Sequence, residues 1–350
     1  MLSEKQISEI KEHLEKAQNP IFYYDNDADG LCSYVLLRKF LDRGKGVCVR
    51  SFPGVDGQYV RKASELGADY IFILDKPVVS REFVEEIDKM GLPIVWIDHH
   101  DVDGEPDFSK EFKNFFEYDS SKSSKNGDGE PVTYLVYQIT GKKEDSWLAM
   151  AGCVADHFLP DFVDEFKERW PDYWGNVDKP FDAYFGTEIG KIAEALNFGL
   201  KTSTSNIVKL QNFLISCKEP GDVFEESGKN YDFRMKYKEI EKKYSALLEK
   251  AKENIEGNLL FFEYGGDLSI SSELSNKLCY LYPDKYIVIS FNKGNVSNLS
   301  LRGENVKDIL LKILKGFDDA IGGGHRNAVG AKIRTDDLGK FKDLFKEEIK

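Results

Sequence analysis

Residues 93–100 read Pro93-Ile94-Val95-Trp96-Ile97-Asp98-His99-His100, an apolar run that ends in one carboxylate and two imidazoles. A second short apolar run, over residues 20–24, ends where Asp25-Asn26-Asp27-Ala28-Asp29-Gly30 begins. Both runs have the length and composition of buried strands. Their ends therefore carry four carboxylates and two imidazoles. Few soluble proteins accept this density of like charge unless a divalent cation neutralises it, so the two motifs indicate a metal site.

Strands and helices alternate around these motifs. Further strands are predicted at 46–52 and 69–75, and the helices between the four strands are predicted at 31–41, 58–66 and 80–90. Alternation at this spacing indicates an α/β protein with a doubly wound, mostly parallel sheet. In such sheets, ligands bind beyond the carboxyl ends of the strands. Because Asp25, Asp75 and Asp98 each stand at that end of an apolar run, we expect the three side chains to converge.

The rest of the chain predicts a helical region and a second α/β pattern. Helices are predicted at 3–17, 132–140, 146–158, 190–216 and 231–255. The second pattern has strands at 259–264, 286–291 and 296–301, helices at 271–282 and 306–315, a loop at 321–327 and a terminal helix. We therefore expect a catalytic domain over residues 1–190, a helical linker over 191–256 and a smaller α/β domain over 257–350.

Composition argues against several classes of protein. The 350 residues are 41% apolar, which suits packed cores rather than disorder. The formal net charge of −13 argues against broad binding of duplex nucleic acid, which depends on neutralising phosphates. No apolar run reaches the about 18 residues of a membrane helix, and no secretion signal opens the chain. The five cysteines are scattered without metal-type spacing. A cytoplasmic protein without membrane contact is expected.

The alternating acids Asp25, Asp27 and Asp29 have two interpretations. As catalytic ligands they lie on a tight turn, which Gly30 allows to approach a ligand closely. As a calcium loop of the Asp-x-Asp-x-Asp-Gly type they would need a glutamate six residues beyond the glycine, where Leu36 stands. Such a loop also follows a helix, whereas this turn follows a strand. The catalytic interpretation is therefore favoured.

The other candidate ligands support a metal site. Asp75 alone could simply cap the turn after its strand. Adjacent histidines face different sides, so one of His99 and His100 can ligate a cation while the other faces a substrate, and Asp98 can fix a ring tautomer. Asp156 follows small apolar residues on a predicted helix, where a buried acid needs a partner. Oxygen ligands with imidazole suit Mn²⁺ or Mg²⁺, with Mn²⁺ favoured, and two such ions suit phosphoryl chemistry.

A second candidate site lies in the C-terminal domain, at Gly322-Gly323-Gly324-His325-Arg326-Asn327. Three glycines expose backbone N–H groups, which can hold an anion. Arg302 ends a predicted strand of the same domain, and arginine binds phosphate through two parallel hydrogen bonds. The alternative is a flexible glycine loop with solvated charges. Beside a metal site for phosphoryl chemistry, binding of a phosphate or nucleotide is favoured.

Together, these motifs resemble those of the DHH phosphoesterase superfamily. Its four motifs are matched in order and spacing by Asp25–Gly30, Asp75, Asp98–His100 and Asp156. The glycine-rich motif of its associated C-terminal domain is matched by Gly322–His325. Asp75-Lys76-Pro77 and the short C-terminal domain are most similar to archaeal RecJ-like proteins.

The resemblance implies a centre with two Mn²⁺ ions. One ion would be held by Asp25, Asp27 and Asp75, and the other by Asp29, Asp75, His99 and Asp156, with Asp75 bridging. His100 would face the scissile phosphate, and Asp98 would orient the histidines. The phosphates of the substrate would bind a separate set of residues: Arg302, Gly322, Gly323, Gly324, His325 and Arg326.

The resemblance also implies a function: a Mn²⁺-dependent phosphodiesterase, specifically an exonuclease that acts on single-stranded DNA, RNA or both and releases nucleoside 5′-monophosphates. Two alternatives stay open. One is a small-substrate phosphodiesterase or phosphatase for short oligoribonucleotides, phosphoadenosine phosphate or cyclic dinucleotides. The other is a scaffold in a replication or RNA-decay assembly, although the ligand set is complete. The acidic, aromatic stretch Asp161–Tyr184 could dock a protein partner, but ordinary packing on the core is the preferred interpretation.

Overall fold

The computed structural model describes residues 1–51, 54–100, 106–123 and 129–350, apart from the side chains of Ser123 and His325. These residues form two compact units, Met1–Tyr237 and Lys238–Lys350. Most of the stretch that we expected as a linker therefore packs within the first unit. The division by function into residues 1–190, 191–256 and 257–350 stays a prediction.

A parallel sheet forms the centre of the first unit. The strands of this unit are β1 (Pro20–Asp25), β2 (Lys45–Val49), β3 (Gly54–Val55), β4 (Tyr70–Leu74), β5 (Val78–Val79), β6 (Ile94–Asp98) and β7 (Phe115–Asp119). Five of them form the sheet in the order β2-β1-β4-β6-β7, in which every neighbouring pair is parallel. The strand predicted over 46–52 ends at Val49, and Phe52 lies outside the described residues.

Helices cover both faces of this sheet. They are α1 (Glu4–Lys16), α2 (Ala28–Leu41), α3 (Val60–Glu65), α4 (Arg81–Lys89), α5 (Val132–Thr140), α6 (Ser146–Ala155), α7 (Val163–Arg169), α8 (Pro180–Gly186), α9 (Glu188–Leu200), α10 (Thr204–Ser216) and the start of α11 (Tyr231–Lys252). Phe22 and Tyr24 of β1 enter one hydrophobic core, whereas Ile21 and Tyr23 enter another. Strands buried on both faces are typical of doubly wound sheets. The predicted α/β fold with a mostly parallel sheet is confirmed.

The helices that we expected in the linker complete the larger core. Ile192 of α9 and Leu210 of α10 are buried there. Asn197 of α9 also accepts a hydrogen bond of 2.8 Å from Ala28 N, in the turn that follows β1. These contacts fix both helices to the first unit and place α9 beside the acidic turn.

The aromatic stretch Asp161–Tyr184 packs on the same core. It forms α7, most of α8 and the turns between them. Phe166, Trp174 and Tyr184 are buried in the core. These three aromatic side chains are therefore used inside the unit, in agreement with the preferred interpretation.

The second unit contains a mixed sheet. Its strands are β8 (Ile255–Glu256), β9 (Leu259–Gly265), β10 (Tyr286–Lys293), β11 (Val296–Arg302), β12 (Ile321–His325) and β13 (Ala328–Arg334). They lie in the order β12-β13-β11-β10-β9-β8, with β9 and β10 parallel and the other pairs antiparallel. Three helices pack with the sheet: α12 (Ser271–Leu281), α13 (Val306–Leu314) and α14 (Leu338–Glu348).

The loop predicted over 321–327 is wrong. Residues 321–325 form the edge strand β12, which pairs with β13 across a two-residue turn at Arg326 and Asn327. Three consecutive glycines offer no side chain to indicate a strand. Their strand conformation comes from backbone pairing with β13, which the sequence pattern also did not reveal. Among the helices of both units, within the described ranges, none combines the length and the apolar character that crossing a bilayer requires.

Candidate metal centre

Parallel pairing aligns the ends of three strands. Tyr24 of β1 lies opposite Leu74 of β4, and Leu74 lies opposite Ile97 of β6. The residue that follows each of them is an aspartate: Asp25, Asp75 and Asp98. Because neighbouring parallel strands run in one direction, these carboxylates meet at the same edge of the sheet. The structure thus brings together the three acids that the sequence places at strand ends.

A glycine makes the turn after β1 tight enough to gather its acids. A Cβ atom on Gly30 would lie 2.6 Å from Asp25 N and 2.7 Å from Asp25 O, which is too close for any side chain. Asp27 caps α2 by accepting a hydrogen bond of 3.0 Å from Gly30 N. The turn therefore requires a glycine and a capping side chain at these positions. It presents Asp25, Asp27 and Asp29 within five residues of chain.

Asp29 is anchored by the start of a helix. It is 2% exposed. Its two carboxylate oxygens accept hydrogen bonds from Val132 N at 2.8 Å and from Thr133 N at 2.7 Å, at the first turn of α5. The N-terminal end of a helix stabilises a negative charge. Each oxygen has a second lone pair, so the same carboxylate can also ligate a cation.

Asp75 is the most deeply buried acid of the edge. It is 1% exposed, and its backbone is left-handed at φ 59°. Burial, followed by repulsion from Asp29 and Asp27, raises the pKa of Asp75 well above its usual range. Its Oδ2 atom has no hydrogen-bond partner among the described residues. A buried oxygen without a donor is costly, and a ligated cation would remove that cost.

His99 connects Asp75 with two further acids. Its Nε2 atom lies 3.2 Å from Asp75 Oδ1, 3.8 Å from Asp156 Oδ2 and 4.0 Å from Asp29 Oδ2. The helix predicted over 146–158 ends earlier, at Ala155, so Asp156 caps the helix instead of lying within it. The side chain of Asp156 is 41% exposed. This side of the cluster is therefore open to solvent.

Among the described residues, three groups of ligand atoms could hold a cation, with all atoms of each group within 4.8 Å of one another. The groups are Asp25–Asp27–Asp75, Asp29–His99–Asp156 and Asp75–His99–His100. The first coincides with one expected ligand set. The second contains the other expected set without Asp75, and the third joins Asp75 to His99. Because Asp75 and His99 each belong to two groups, neighbouring cations could share them. The third group also lets His100 act as a ligand, beyond its expected role toward the phosphate.

The acids of the cluster resist simultaneous ionisation. Burial, followed by repulsion from Asp25 and Asp29, raises the pKa of Asp27 to about 7. Partial removal from water also raises the pKa of Asp156 to about 6, although its side chain is partly exposed; His99 opposes this shift, and repulsion from Asp29 adds to it. A divalent cation would cancel this repulsion. Carboxylate oxygens with one or two imidazoles fit Mn²⁺ or Mg²⁺.

Asp98 holds the second histidine. Its Oδ1 atom lies 2.9 Å from His100 Nδ1, and its Oδ2 atom accepts a hydrogen bond of 3.3 Å from His100 N. Burial opposes a charge on the ring, but the surrounding carboxylates, Asp98 foremost, raise the pKa of His100 to about 9. In return, His100 holds the pKa of Asp98 below its usual value although Asp98 is buried. The ring is therefore a cation at neutral pH, and it lies 4.0 Å from Asp75 Oδ1.

Sequence reasoning missed one charged residue of the centre. Lys76 is 2% exposed, and its Nζ atom donates hydrogen bonds to Asp25 Oδ1 at 2.8 Å and to Ser51 O at 3.3 Å. Burial opposes the charge, but the carboxylates, Asp25 foremost, raise the pKa of Lys76. The available signal was its position directly after Asp75. A lysine there would ordinarily be interpreted as solvated.

In the second unit, strand pairing aligns two of the predicted substrate residues. Arg302 of β11 lies opposite Ala328 of β13, and Ala328 lies opposite His325 of β12, so the three form one row across the sheet. The side chain of His325 lies outside the described part of the chain. The three glycines of the same motif belong to the edge strand of the sheet as far as the chain is described, so only one side of their backbone pairs with a strand there: Gly322, Gly323 and Gly324.

The two predicted arginines are each held by an asparagine. Arg302 Nε donates to Asn276 Oδ1 at 2.6 Å, and burial lowers the pKa of Arg302 to about 10, so it stays charged at neutral pH. Arg326 Nε donates to Asn305 Oδ1, also at 2.6 Å, from an exposed position in the hairpin turn. Both guanidinium groups are therefore oriented cations within the second unit.

Comparison with known families identifies the domain that carries the acids. Residues 21–156 match the model of the DHH family, N-terminal domain. This range runs from the first strand to Asp156 and includes all the candidate metal ligands. No curated protein sequence matches the chain.

Solved structures share the fold over nearly the whole chain. RecJ from Thermus thermophilus, in complex with Mn²⁺, superposes with a TM-score of 0.69 at 13% identity, covering 98% of this chain and 54% of that protein. An exonuclease RecJ bound to manganese has a TM-score of 0.64 at 15% identity, covering 97% of this chain and 92% of that protein. CDC45 from Entamoeba histolytica has a TM-score of 0.55 at 9% identity, covering 97% and 98% respectively.

The present chain spans about half the length of the Thermus thermophilus protein. Identities this low show the common fold alone, whereas the family match covers the ligand motifs themselves. Residues 21–156 are therefore a DHH family N-terminal domain that contains the candidate metal ligands, and the chain as a whole shares the fold of RecJ.

Proposed function

We propose that this protein is a Mn²⁺-dependent phosphodiesterase, and specifically a RecJ-like exonuclease that acts on single-stranded DNA, RNA or both and releases nucleoside 5′-monophosphates. The observation that carries the proposal is the sharing of Asp75 and His99 between neighbouring groups of ligand atoms, which suits two adjacent cations. Two cations are a recurring arrangement for cleavage of phosphodiesters. The manganese-bound RecJ structures with the same fold support the choice of ion.

The protein would hold the cations with ligands that its backbone fixes in advance. One ion would bind Asp25, Asp27 and Asp75, and the other would bind Asp29, Asp75, His99 and Asp156. When bound, the cations would lower the pKa of a water molecule and neutralise phosphate charge. Asp29 is fixed by two N–H groups of α5, and Asp27 is fixed by its cap on α2. Ligands that are fixed in this way need little reorganisation before catalysis.

His100 would act on the scissile phosphate. Its ring is oriented through Nδ1 by Asp98, which also favours the charged form of the ring. A fixed cation beside the phosphate stabilises the negative charge that develops on its oxygens in the transition state. The oxygen of a water molecule would form a bond to phosphorus while the bond between phosphorus and the 3′ oxygen breaks, and the 3′ oxygen would leave as a hydroxyl after taking up a proton. The phosphate would stay on the 5′ oxygen, so the product is a nucleoside 5′-monophosphate.

The second unit would bind phosphates of the same strand. Arg302 and Arg326 are oriented cations, and the edge strand of glycines offers backbone N–H groups. Single-stranded DNA or RNA and short oligonucleotides are the proposed partners, and the cytoplasm is the proposed location. The fold shared with CDC45 is a reason to test for a protein partner in a replication assembly as well.

A Mn²⁺ nuclease assay tests this function. Single-stranded DNA and RNA twenty-mers, labelled at either end, are incubated with the enzyme beside a dinucleotide. We expect a ladder of shortened products that Asp75→Ala abolishes. Asp119→Asn is the matched control, because Asp119 ends β7 at the same edge of the sheet but belongs to none of the three ligand groups.

The alternatives give different results in this assay. Cleavage of the dinucleotide alone would contradict the proposed exonuclease and indicate a small-substrate phosphodiesterase. No cleavage of any substrate by a protein that binds Mn²⁺ would favour a scaffold. The direction of the ladder would also give the polarity of the reaction.

A further inference from the structure

Lys76 is a fixed internal cation. Its side chain is 3% exposed, and its Nζ atom lies 2.8 Å from Asp25 Oδ1. Ser51 O accepts a second hydrogen bond from Nζ, at 3.3 Å. The backbone of the lysine is anchored as well, because the buried Trp96 Nε1 donates to Lys76 O at 2.9 Å. The ammonium group therefore has a defined position beside one ligand group.

The ammonium group of Lys76 already occupies one carboxylate oxygen of Asp25. Oδ1 of Asp25 accepts hydrogen bonds from Lys76 Nζ and from Asn26 N, the latter at 2.7 Å. A divalent cation that enters the group Asp25–Asp27–Asp75 must displace the ammonium group or bind beside it. Displacement would leave a buried lysine without its carboxylate, and binding beside it would place two positive charges close together. Either outcome lowers the affinity of this ligand group for the divalent cation.

The other ligand group has different neighbours. Asp29 is contacted by the backbone N–H groups of Val132 and Thr133. Asp156 faces His99, whose Nε2 atom lies 3.8 Å away. No lysine or arginine is paired with either acid in the described part of the chain. A cation that binds there meets backbone dipoles, the imidazole of His99 and the ring of His100, but His100 is bound to Asp98, and no ammonium group occupies a ligand oxygen of Asp29 or Asp156 among the described residues.

We propose that Lys76 makes the two cation sites unequal. The set Asp29, Asp75, His99 and Asp156 binds its ion first, and the set Asp25, Asp27 and Asp75 binds the second ion more weakly. The phosphate of a substrate adds negative charge to the centre and so favours the second ion. Lys76 is thus a positioning residue that makes completion of the centre depend on the substrate. This inference rests on the proposed function, because it assumes two cations.

Titration of the whole, metal-free protein with Mn²⁺ alone tests the inference without substrate. Isothermal calorimetry gives the number of ions and their dissociation constants, and electron paramagnetic resonance of free Mn²⁺ gives them independently. We expect one ion to bind at least about tenfold more tightly than the other in the wild-type protein. Lys76→Met should tighten the weaker ion by at least about tenfold, which is the scale on which outer groups change metal affinity. Lys76→Arg keeps the charge and should keep the difference.

Lys39→Met is the matched control. Lys39 is also largely buried and forms an ion pair with a buried acid, Asp145. Its Nζ atom donates a second hydrogen bond, to Cys217 O at 2.9 Å. Neither partner belongs to a ligand group. We expect both Mn²⁺ constants to be unchanged in this variant.

Equal affinities in the wild-type protein would overturn the inference. The inference would also be overturned if a folded Lys76→Met variant bound the second ion more weakly than the wild type. In that case, Lys76 would support the site instead of competing with the cation. If circular dichroism shows that Lys76→Met is unfolded, Lys76→Gln takes its place, because its neutral amide can still donate to Asp25, and the same tightening is expected. No binding of Mn²⁺ to the wild-type protein would contradict the proposed function itself, so the two failures are distinguishable.

Discussion

Replacing Asp27 by asparagine removes one negative charge from the acid cluster and keeps the helix cap. Asp27 accepts a hydrogen bond from Gly30 N through Oδ1, and an asparagine oxygen can accept the same bond. The substitution stabilises the folded, metal-free protein, because the repulsion from Asp25 and Asp29 falls. The substitution also weakens the binding of Mn²⁺, because the variant lacks one carboxylate ligand. We therefore expect a more stable metal-free protein that no longer responds fully to Mn²⁺.

The pKa of Asp27 sets the size of this effect. Without a cation, it rises from 3.8 in the unfolded chain to about 7 in the folded protein. The folded state then holds the proton more tightly than the unfolded state, so this contribution to stability is complete below pH 3.8 and is lost as the pH rises to about 7. At about 1.4 kcal/mol for each pH unit between the two values, the loss approaches about 4 kcal/mol above pH 7. Asp27→Asn should recover up to this amount at pH 8 and little at pH 4.

Urea unfolding in the presence of a chelator measures the difference. The free energy of unfolding of the wild-type protein should fall between pH 4 and pH 8, and that of Asp27→Asn should fall less. Asp56→Asn is the control, because Asp56 also accepts a hydrogen bond from a backbone N–H, that of Gln58 at 3.1 Å, but belongs to no ligand group. A variant that is less stable than the wild type at pH 8, or a gain of the same size at both pH values, would refute the reasoning.

Three further variants test other parts of the site. His100→Asn should keep both cations and lower turnover by at least about 100-fold, as expected for a group that acts on the phosphate. If a Mn²⁺ titration of this variant shows loss of an ion, His100 is a metal ligand instead. Gly30→Ala should lower the free energy of unfolding in urea by about 1–3 kcal/mol, because its Cβ atom would lie 2.6 Å from Asp25 N. Gly339→Ala, where no atom of the described residues lies within 4 Å of the added atom, should cost nothing. Arg302→Gln should weaken oligonucleotide binding by about 1.5–3 kcal/mol, seen as a raised KM with little change in kcat. The exposed Arg334→Gln on β13 should not do so, and equal KM values would remove Arg302 from the substrate site.

Much of the sheet and the convergence of its acids could be predicted because their signals are local. Apolar runs such as residues 20–24 and 70–74 indicate buried strands by themselves. An aspartate at the end of each run needs no knowledge of distant residues, because parallel strands end at one edge. The same reasoning gave the position of Asp98. The prediction was successful where a short stretch of sequence specifies both the element and its end.

The remaining features depend on contacts between distant residues. Lys76 is buried because Asp25 lies 51 positions earlier in the chain and accepts its hydrogen bond. The glycine strand β12 forms because β13 pairs with it, and glycines carry no pattern that would indicate this. Helix α9 looks amphipathic in either a linker or a core, and its burial is decided by the elements that pack around it. None of these partners can be read from the local sequence.

Crystallography of the protein with Mn²⁺, using anomalous scattering from manganese, tests the central claim most directly. We expect two anomalous peaks at the carboxyl edge of the parallel sheet, both in contact with Asp75. The peak beside Asp29, His99 and Asp156 should have the higher occupancy in the absence of substrate. A single peak, or two peaks of which one does not contact Asp75, would contradict a centre in which this buried carboxylate bridges two cations.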